Sequence, residues 1–214
     1  MSKLHPIIVI GRCFGAGGRV IGKKIAERLS IPYYDNELLM ETAKQFGFSK
    51  SIFAHADEKR PSIFKRLLTQ AYGVQETYNT ETLSNETLYQ AQSKVIRKIA
   101  EQGSCVIVGR TADYILRDFP TLISVFVHAP LEFRADKIVA RGDASSHPEA
   151  MELAKRRDKE RESYYNYYTG RQWGTASNYT LSLDSSLLSP DISAQMVIHC
   201  LDSILTNSQS NKES

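Results

Sequence analysis

Ile7-Ile8-Val9-Ile10-Gly11-Arg12-Cys13-Phe14-Gly15-Ala16-Gly17-Gly18 is the stretch whose reading decides the fold. Ile7 to Ile10 is an unbroken β-branched run, as in a strand buried on both faces of a parallel sheet. A glycine cluster from Gly11 to Gly18 ends it. Val20, Ile21, Lys24, Ile25, Arg28 and Leu29 then recur at helical spacing up to Ser30. A loop between a strand and a helix N-terminus can cradle an anion, because its backbone N–H groups point inward and the helix dipole favours negative charge. Gly15, Ala16, Gly17, Gly18, Arg19 and Val20 are therefore the candidate phosphate-binding residues.

Outward from that loop, Ile31-Pro32-Tyr33-Tyr34-Asp35 reads as a short second strand ending in an acid. Residues 36–102 read as helical, with a polar break near Tyr78 to Asn85. A longer helix then runs through Leu88, Ala91, Val95, Ile96 and Ile99 and stops at Gly103. Cys105 to Val108 and Leu122 to Val127 are the third and fourth strands. Helices are expected over 131–141 and 149–168, separated by a loop over 143–148. Tyr179 to Leu183 is the fifth strand, and Pro190 opens the last helix. Five short buried strands separated by helices predict a parallel α/β sheet, with ligands at the carboxyl ends of the strands. Gly11–Gly18, Asp35 and Gly109-Arg110 all fall at that edge.

The totals agree with one α/β domain. The chain has 214 residues, 42% hydrophobic and 24% charged, with a net charge of +3. That charge is too mild to demand nucleic acid as a partner. Cys13, Cys105 and Cys200 are odd in number and widely spaced, which argues against a disulfide framework and for a reducing cytoplasm. His5, His55, His128, His147 and His199 form no metal-ligating pattern. No apolar run reaches the ~20 residues of a membrane span, and Ile7–Ile10 is too short for a secretory signal. A homo-oligomer is compatible with all of this.

The loop does not match the G-x-x-x-x-G-K-[ST] pattern. Gly15-x-Gly17 with Asp35 downstream is also compatible with a dinucleotide-binding turn, although Val20 occupies the third small position. A dinucleotide-dependent oxidoreductase is thus an alternative to the phosphate cradle.

Three blocks extend the comparison. They are Gly15-Ala16-Gly17-Gly18-Arg19-Val20-Ile21-Gly22 with Ala26-Glu27-Arg28-Leu29 and Ile31 to Asp35; Val106-Ile107-Val108-Gly109-Arg110-Thr111-Ala112-Asp113; and Asp158-Lys159-Glu160-Arg161-Glu162-Ser163-Tyr164-Tyr165 with Tyr168-Thr169-Gly170 and Trp173-Gly174. In this order they resemble the cytidylate kinase-like family of the P-loop nucleoside monophosphate kinase superfamily. The resemblance implies a three-layer α/β/α P-loop NTPase fold with a five-stranded parallel sheet. It implies one domain over 1–214: a core of 1–36, 103–145 and 176–206, a helical acceptor-binding insertion at about 37–102, a short lid at about 146–175 and a disordered tail at 207–214. The implied reaction moves the ATP γ-phosphoryl group to a nucleoside monophosphate, CMP or dCMP, with Mg²⁺ accompanying ATP but no clear protein ligand for it.

On that resemblance Arg19, Arg110, Arg157 and Arg161 are the candidate catalytic residues, and Asp35, Arg110, Arg134 and Asp158 the candidate acceptor-binding ones. Arg157 and Arg161 share a helix face. Arginine suits the task because its planar donors grip phosphate bidentately and stay charged. Plainer roles compete: Asp35 as a helix N-cap, the tyrosines at 164–168 as packing, Arg157 and Arg161 as solvated charge. Departures from the kinases are Gly18 at the loop-lysine position, Arg19-Val20 in place of a hydroxyl, and Val108 in place of an acid. Arg19 is expected to supply the missing charge, with Lys23 behind it. A non-catalytic nucleotide-binding module is the second functional class. Cys13, near a helix N-terminus, is a candidate for a lowered thiol pKa.

Overall fold

The computed structural model describes residues 5–45 and 85–210. Most of the expected insertion, including the break near Tyr78, lies outside the described residues, as do the last four positions of the tail. The elements are β1 (Ile7–Arg12), α1 (Gly18–Leu29), β2 (Tyr33–Tyr34), α2 (Asn36–Gln45), α3 (Asn85–Gln102), β3 (Cys105–Val108), α4 (Ala112–Ile115), β4 (Leu122–His128), α5 (Leu131–Ala140), α6 (His147–Thr169), β5 (Leu181–Asp184) and α7 (Pro190–Ser210).

The strands form one five-stranded parallel sheet in the order β2-β3-β1-β4-β5. β1 lies at its centre, and its alternating side chains feed two cores. Ile8 and Ile10 pack with Ile21, Ile25 and Ala26 of α1 and with Ala194, Val197 and Leu201 of α7. Ile7 and Val9 pack on the other face with Leu39 of α2, Val95, Ile96 and Ile99 of α3, and Ile115 of α4. A sheet covered on both faces requires the continuous apolar runs read from the sequence. The result is the expected three-layer α/β/α P-loop NTPase architecture. Among the described residues no helix is long and apolar enough to cross a membrane.

The strand order removes the dinucleotide reading. In that fold the second strand lies beside the first. Here β3 lies between them, pairing Val9 with Ile107 on one side and Tyr34 with the same Ile107 on the other.

Helix ends differ in detail from expectation. α6 starts at His147 rather than 149, because the Ser146 side chain accepts from the Glu149 amide and Pro148 sits in the first turn. Glu149 in turn accepts from the Ser145 amide at 2.9 Å. Charged and capped residues here read as a loop when taken singly, but together they start a helix. α7 continues to Ser210, into the segment expected to be tail.

α6 meets the sheet through a buried polar contact. Tyr165 donates from its hydroxyl to Asp113 Oδ2 of α4 at 2.8 Å, and both residues are buried. Burial pushes the Asp113 pKa up, while this hydrogen bond opposes the shift. Tyr165→Phe removes only that donor. It is expected to lower stability by about 1–3 kcal/mol, read as a lower urea midpoint with an unchanged denaturant slope.

Candidate functional site

Register brings the loops together. Gly109 donates its amide to Ile10 O at 3.0 Å, and Cys13 donates to Val127 O at 2.9 Å. The segments after β1, β3 and β4 therefore share one edge of the sheet. At that edge Gly17 caps α1 in the left-handed region (φ 80°), and no side chain caps the helix. The amides of Gly15, Gly17, Gly18 and Arg19 have no acceptor among the described residues. Such a run of free donors at a helix start has the chemistry to seat an anion. Gly15 is required by geometry as well as by φ (84°): a Cβ there would come within 2.9 Å of the Arg134 carbonyl oxygen and 3.0 Å of Ile138 Cδ1.

The loop is held from behind. The Phe14 amide donates to Asp158 Oδ1 of α6 at 2.7 Å. Arg134 of α5 donates from Nη1 to Asp158 Oδ2 at 2.5 Å and to Phe14 O at 3.0 Å, and from Nε to Ala129 O at 2.9 Å. The two side chains are only 11% and 16% exposed. These contacts commit Arg134 and Asp158 to the loop backbone, whereas the sequence suggested the acceptor for both. Arg161, one turn on, donates from Nη1 to Arg12 O at 3.2 Å and lies over the Phe14 ring. Burial lowers its pKa to about 10, against the pull of Asp158. Arg157 is turned to Glu160 Oε2 at 3.1 Å.

On the other side of β1, Gly109, Arg110 and Thr111 are all left-handed (φ 84°, 60° and 52°). Two consecutive non-glycine residues in that region store strain of about 1–3 kcal/mol each. Arg110 Nη2 is held there by a short hydrogen bond to Asn36 Oδ1. Asp35 Oδ1 accepts from the amides of Glu37 and Leu38 at 3.2 and 3.3 Å, so it caps α2. Beside Arg110, Tyr89 of α3 stacks on Tyr168 at 4.0 Å, and Tyr164 donates from its hydroxyl to Gln92 Oε1 at 3.2 Å. Tyr167, by contrast, is 74% exposed. Trp173 packs edge-on against Phe126.

Arg12 is the residue that the sequence reading passed over. It ends β1, and repulsion from Arg161, Arg19 and Arg110 adds to burial in lowering its pKa. Burial is the largest influence, although the residue as a whole is half-exposed. Four arginines thus converge where the loop's amides are free. Arg19 itself is exposed, and Val20 beside it is 49% exposed. Two surface concavities, one along Lys23, Glu27 and Tyr33 and one along Arg134, Asp158 and Trp173, include no residue from 13 to 18.

The described residues do not fit a protein-held Mg²⁺. Asp158 is taken by Phe14 and Arg134, Asp35 Oδ1 by two amides, Val108 is apolar and buried, and neither Arg19 nor Val20 offers a hydroxyl. No group of three His, Cys, Asp or Glu gathers among the described residues. Mg²⁺ carried by a nucleotide would be bound through phosphate oxygens and water. Cys13 also departs from expectation. Its pKa is pushed up to about 11 by burial first and by Asp158 second.

Comparison with known proteins follows the same lines. The profile of the cytidylate kinase-like family matches residues 7–187. A cytidylate kinase of Pyrococcus horikoshii is 24% identical over 192 residues, covering 89% of this chain and 85% of the relative. A crystal structure of an uncharacterized protein from Eubacterium ventriosum is similar at TM-score 0.70 and 30% identity, covering 93% of this chain and 99% of that one. A shikimate kinase of Bacteroides thetaiotaomicron shares the fold at TM-score 0.51 and 14% identity, covering 94% and 98%.

Asp158→Ala leaves the Arg134 charge enclosed without its partner. We expect it to lower unfolding free energy by about 3–5 kcal/mol in a denaturant titration. For Cys13 the raised pKa keeps the thiol protonated until well above neutrality. At pH 8 the native protein should be alkylated at Cys13 about 100-fold more slowly than the urea-unfolded chain, as read by mass spectrometry of the labelled peptide.

Proposed function

The chain belongs to the cytidylate kinase-like family, and from that premise we propose that it transfers the γ-phosphoryl group of ATP to a nucleoside monophosphate, CMP or dCMP. The observation that carries this reading is the set of amides at Gly15, Gly17, Gly18 and Arg19 without an acceptor among the described residues, in a loop that follows Arg12, near Arg110 and Arg161. Phosphoryl transfer needs little covalent work from the protein; it needs positioning and neutralisation of charge. The name of the Pyrococcus relative supports the choice of acceptor.

In this reading the donor phosphates lie on the loop from Gly15 to Val20, with the α1 dipole and its free amides toward their oxygens. Arg110 grips the acceptor phosphate, and its strained backbone and the hydrogen bond it donates to Asn36 Oδ1 fix its direction. Asp35 shapes the same seat by starting α2. An acceptor phosphate oxygen attacks the γ-phosphorus, the bond to the β–γ bridging oxygen breaks, and ADP leaves with that electron pair. Arg161, and Arg157 once released from Glu160, neutralise the equatorial oxygens. The tyrosines Tyr89, Tyr164 and Tyr168 offer an aromatic wall beside Arg110 for the acceptor base. The free thiols Cys13, Cys105 and Cys200 suit a reducing cytoplasm.

A coupled ADP-release assay over CMP, dCMP, UMP, AMP, GMP and non-nucleotide acceptors tests this directly. ADP release is expected to depend on CMP or dCMP. ATP binding without ADP release for any acceptor would instead make the protein a nucleotide-binding module. Arg110→Ala should lower kcat/KM for the acceptor about 100-fold, with the ATP dissociation constant changed far less.

A further inference from the structure

Gly18 stands where a phosphate-binding loop of the common pattern carries lysine. The space beside it is filled. A Cβ on Gly18 would lie 2.8 Å from Arg12 Cβ and 3.1 Å from Arg12 Cγ. The stem of Arg12 therefore runs where a side chain at 18 would begin. The head of the same side chain lies against Gly109, where an added Cβ would collide with Nη1 and come within 3.0 Å of Cζ. One arginine thus spans from the first turn of α1 to the loop after β3, and it keeps a glycine bare at each end.

Its head has no hydrogen-bond acceptor among the described residues, and its near neighbours in charge are Arg19, Arg110 and Arg161. A guanidinium among like charges and without an acceptor is unfavourable until an anion arrives. The carbonyl of Arg12 is held by Arg161 Nη1 at 3.2 Å, so its backbone is fixed while its side-chain donors meet no acceptor among the described residues.

We propose that Arg12 is the phosphate-gripping cation of this loop, standing in for the lysine that Gly18 cannot carry and holding the β- and γ-phosphoryl oxygens of the donor nucleotide. This rests on the reading of the protein as an ATP-dependent phosphotransferase. A guanidinium suits the place because it reaches in from the strand end and offers a planar fork to two oxygens, where lysine offers a point charge. The role moves from Arg19, whose side chain is exposed on α1, to a residue inside the ring of charge. Gly109, beside Arg110, places the Arg12 head between the donor loop and the acceptor segment, where the transferring group must pass.

The test compares full-length wild type with Arg12→Ala, Arg19→Ala, Gly18→Lys and the double variant Arg12→Gly/Gly18→Lys. ATP affinity is read by calorimetry and kcat/KM by ADP release, with thermal melting as the folding control. Arg12→Ala should lose about 100-fold in kcat/KM and lose affinity for ATP and ADP but not for AMP. Arg19→Ala should lose less than Arg12→Ala. Gly18→Lys alone should be impaired because its Cβ meets the Arg12 stem. The double variant, in which glycine at 12 removes both the Cβ and the Cγ that a side chain at 18 would meet, should regain at least tenfold over Arg12→Ala. If Arg12→Ala does not fold, Arg12→Gln, which keeps the length of the stem, is read in its place. ATP binding in Arg12→Ala equal to wild type, or a larger loss in Arg19→Ala, would overturn the proposal and leave the phosphotransferase reading intact. Absence of ATP binding by the wild type would overturn both.

Discussion

The geometry of the site depends on the Asp158 carboxylate. It accepts from the Phe14 amide through one oxygen and pairs with Arg134 through the other, while Arg134 closes the circuit on Phe14 O. A glycine loop has high conformational freedom, and a seat for phosphate requires that freedom to be removed before the ligand binds. This ion pair removes it from the rear, leaving the forward-facing amides untouched. Because it is largely buried, it is screened little by salt. Every hydrogen bond it makes fixes the backbone, so its burial is well compensated.

Ahead of that anchor the chain accumulates positive charge. Arg12, Arg19, Arg110 and Arg161 come from four separate places in the sequence: the end of β1, the start of α1, the loop after β3, and α6. Their mutual repulsion is a stability penalty, and in the proposed function a bound phosphate would relieve it. Left-handed Arg110 and Thr111 belong to the same pattern, with strain concentrated at the same edge of the sheet.

Much of this was legible in the sequence. Cys105–Val108 and Leu122–Val127 announced themselves as apolar β-branched runs because both faces of the sheet are covered. The helix through Val95, Ile96 and Ile99 ended before Gly103 as its spacing required. The site was less legible. Arg134 and Asp158 lie in charged helices, and a charged residue reads the same whether it is solvated or docked on a loop. Only tertiary packing distinguishes the two. Arg12 carried one signal, the bare glycine at 18, but the matching glycine at 109 lies in another loop, and the sequence does not state that the two face each other. Asp35 could be read as a cap or as a ligand contact, and its hydrogen bonds to Glu37 and Leu38 make it a cap.

α6 has a further consequence. Asp158 and Tyr165 lie two turns apart on one face of a 23-residue helix. One holds the loop after β1 through Phe14, and the other holds the segment after β3 through Asp113. A helix fastened to both loops carries a displacement at one fastening to the other. On the proposed function, donor and acceptor seats joined in this way exchange free energy symmetrically: whatever filling the first does for the second, filling the second does for the first.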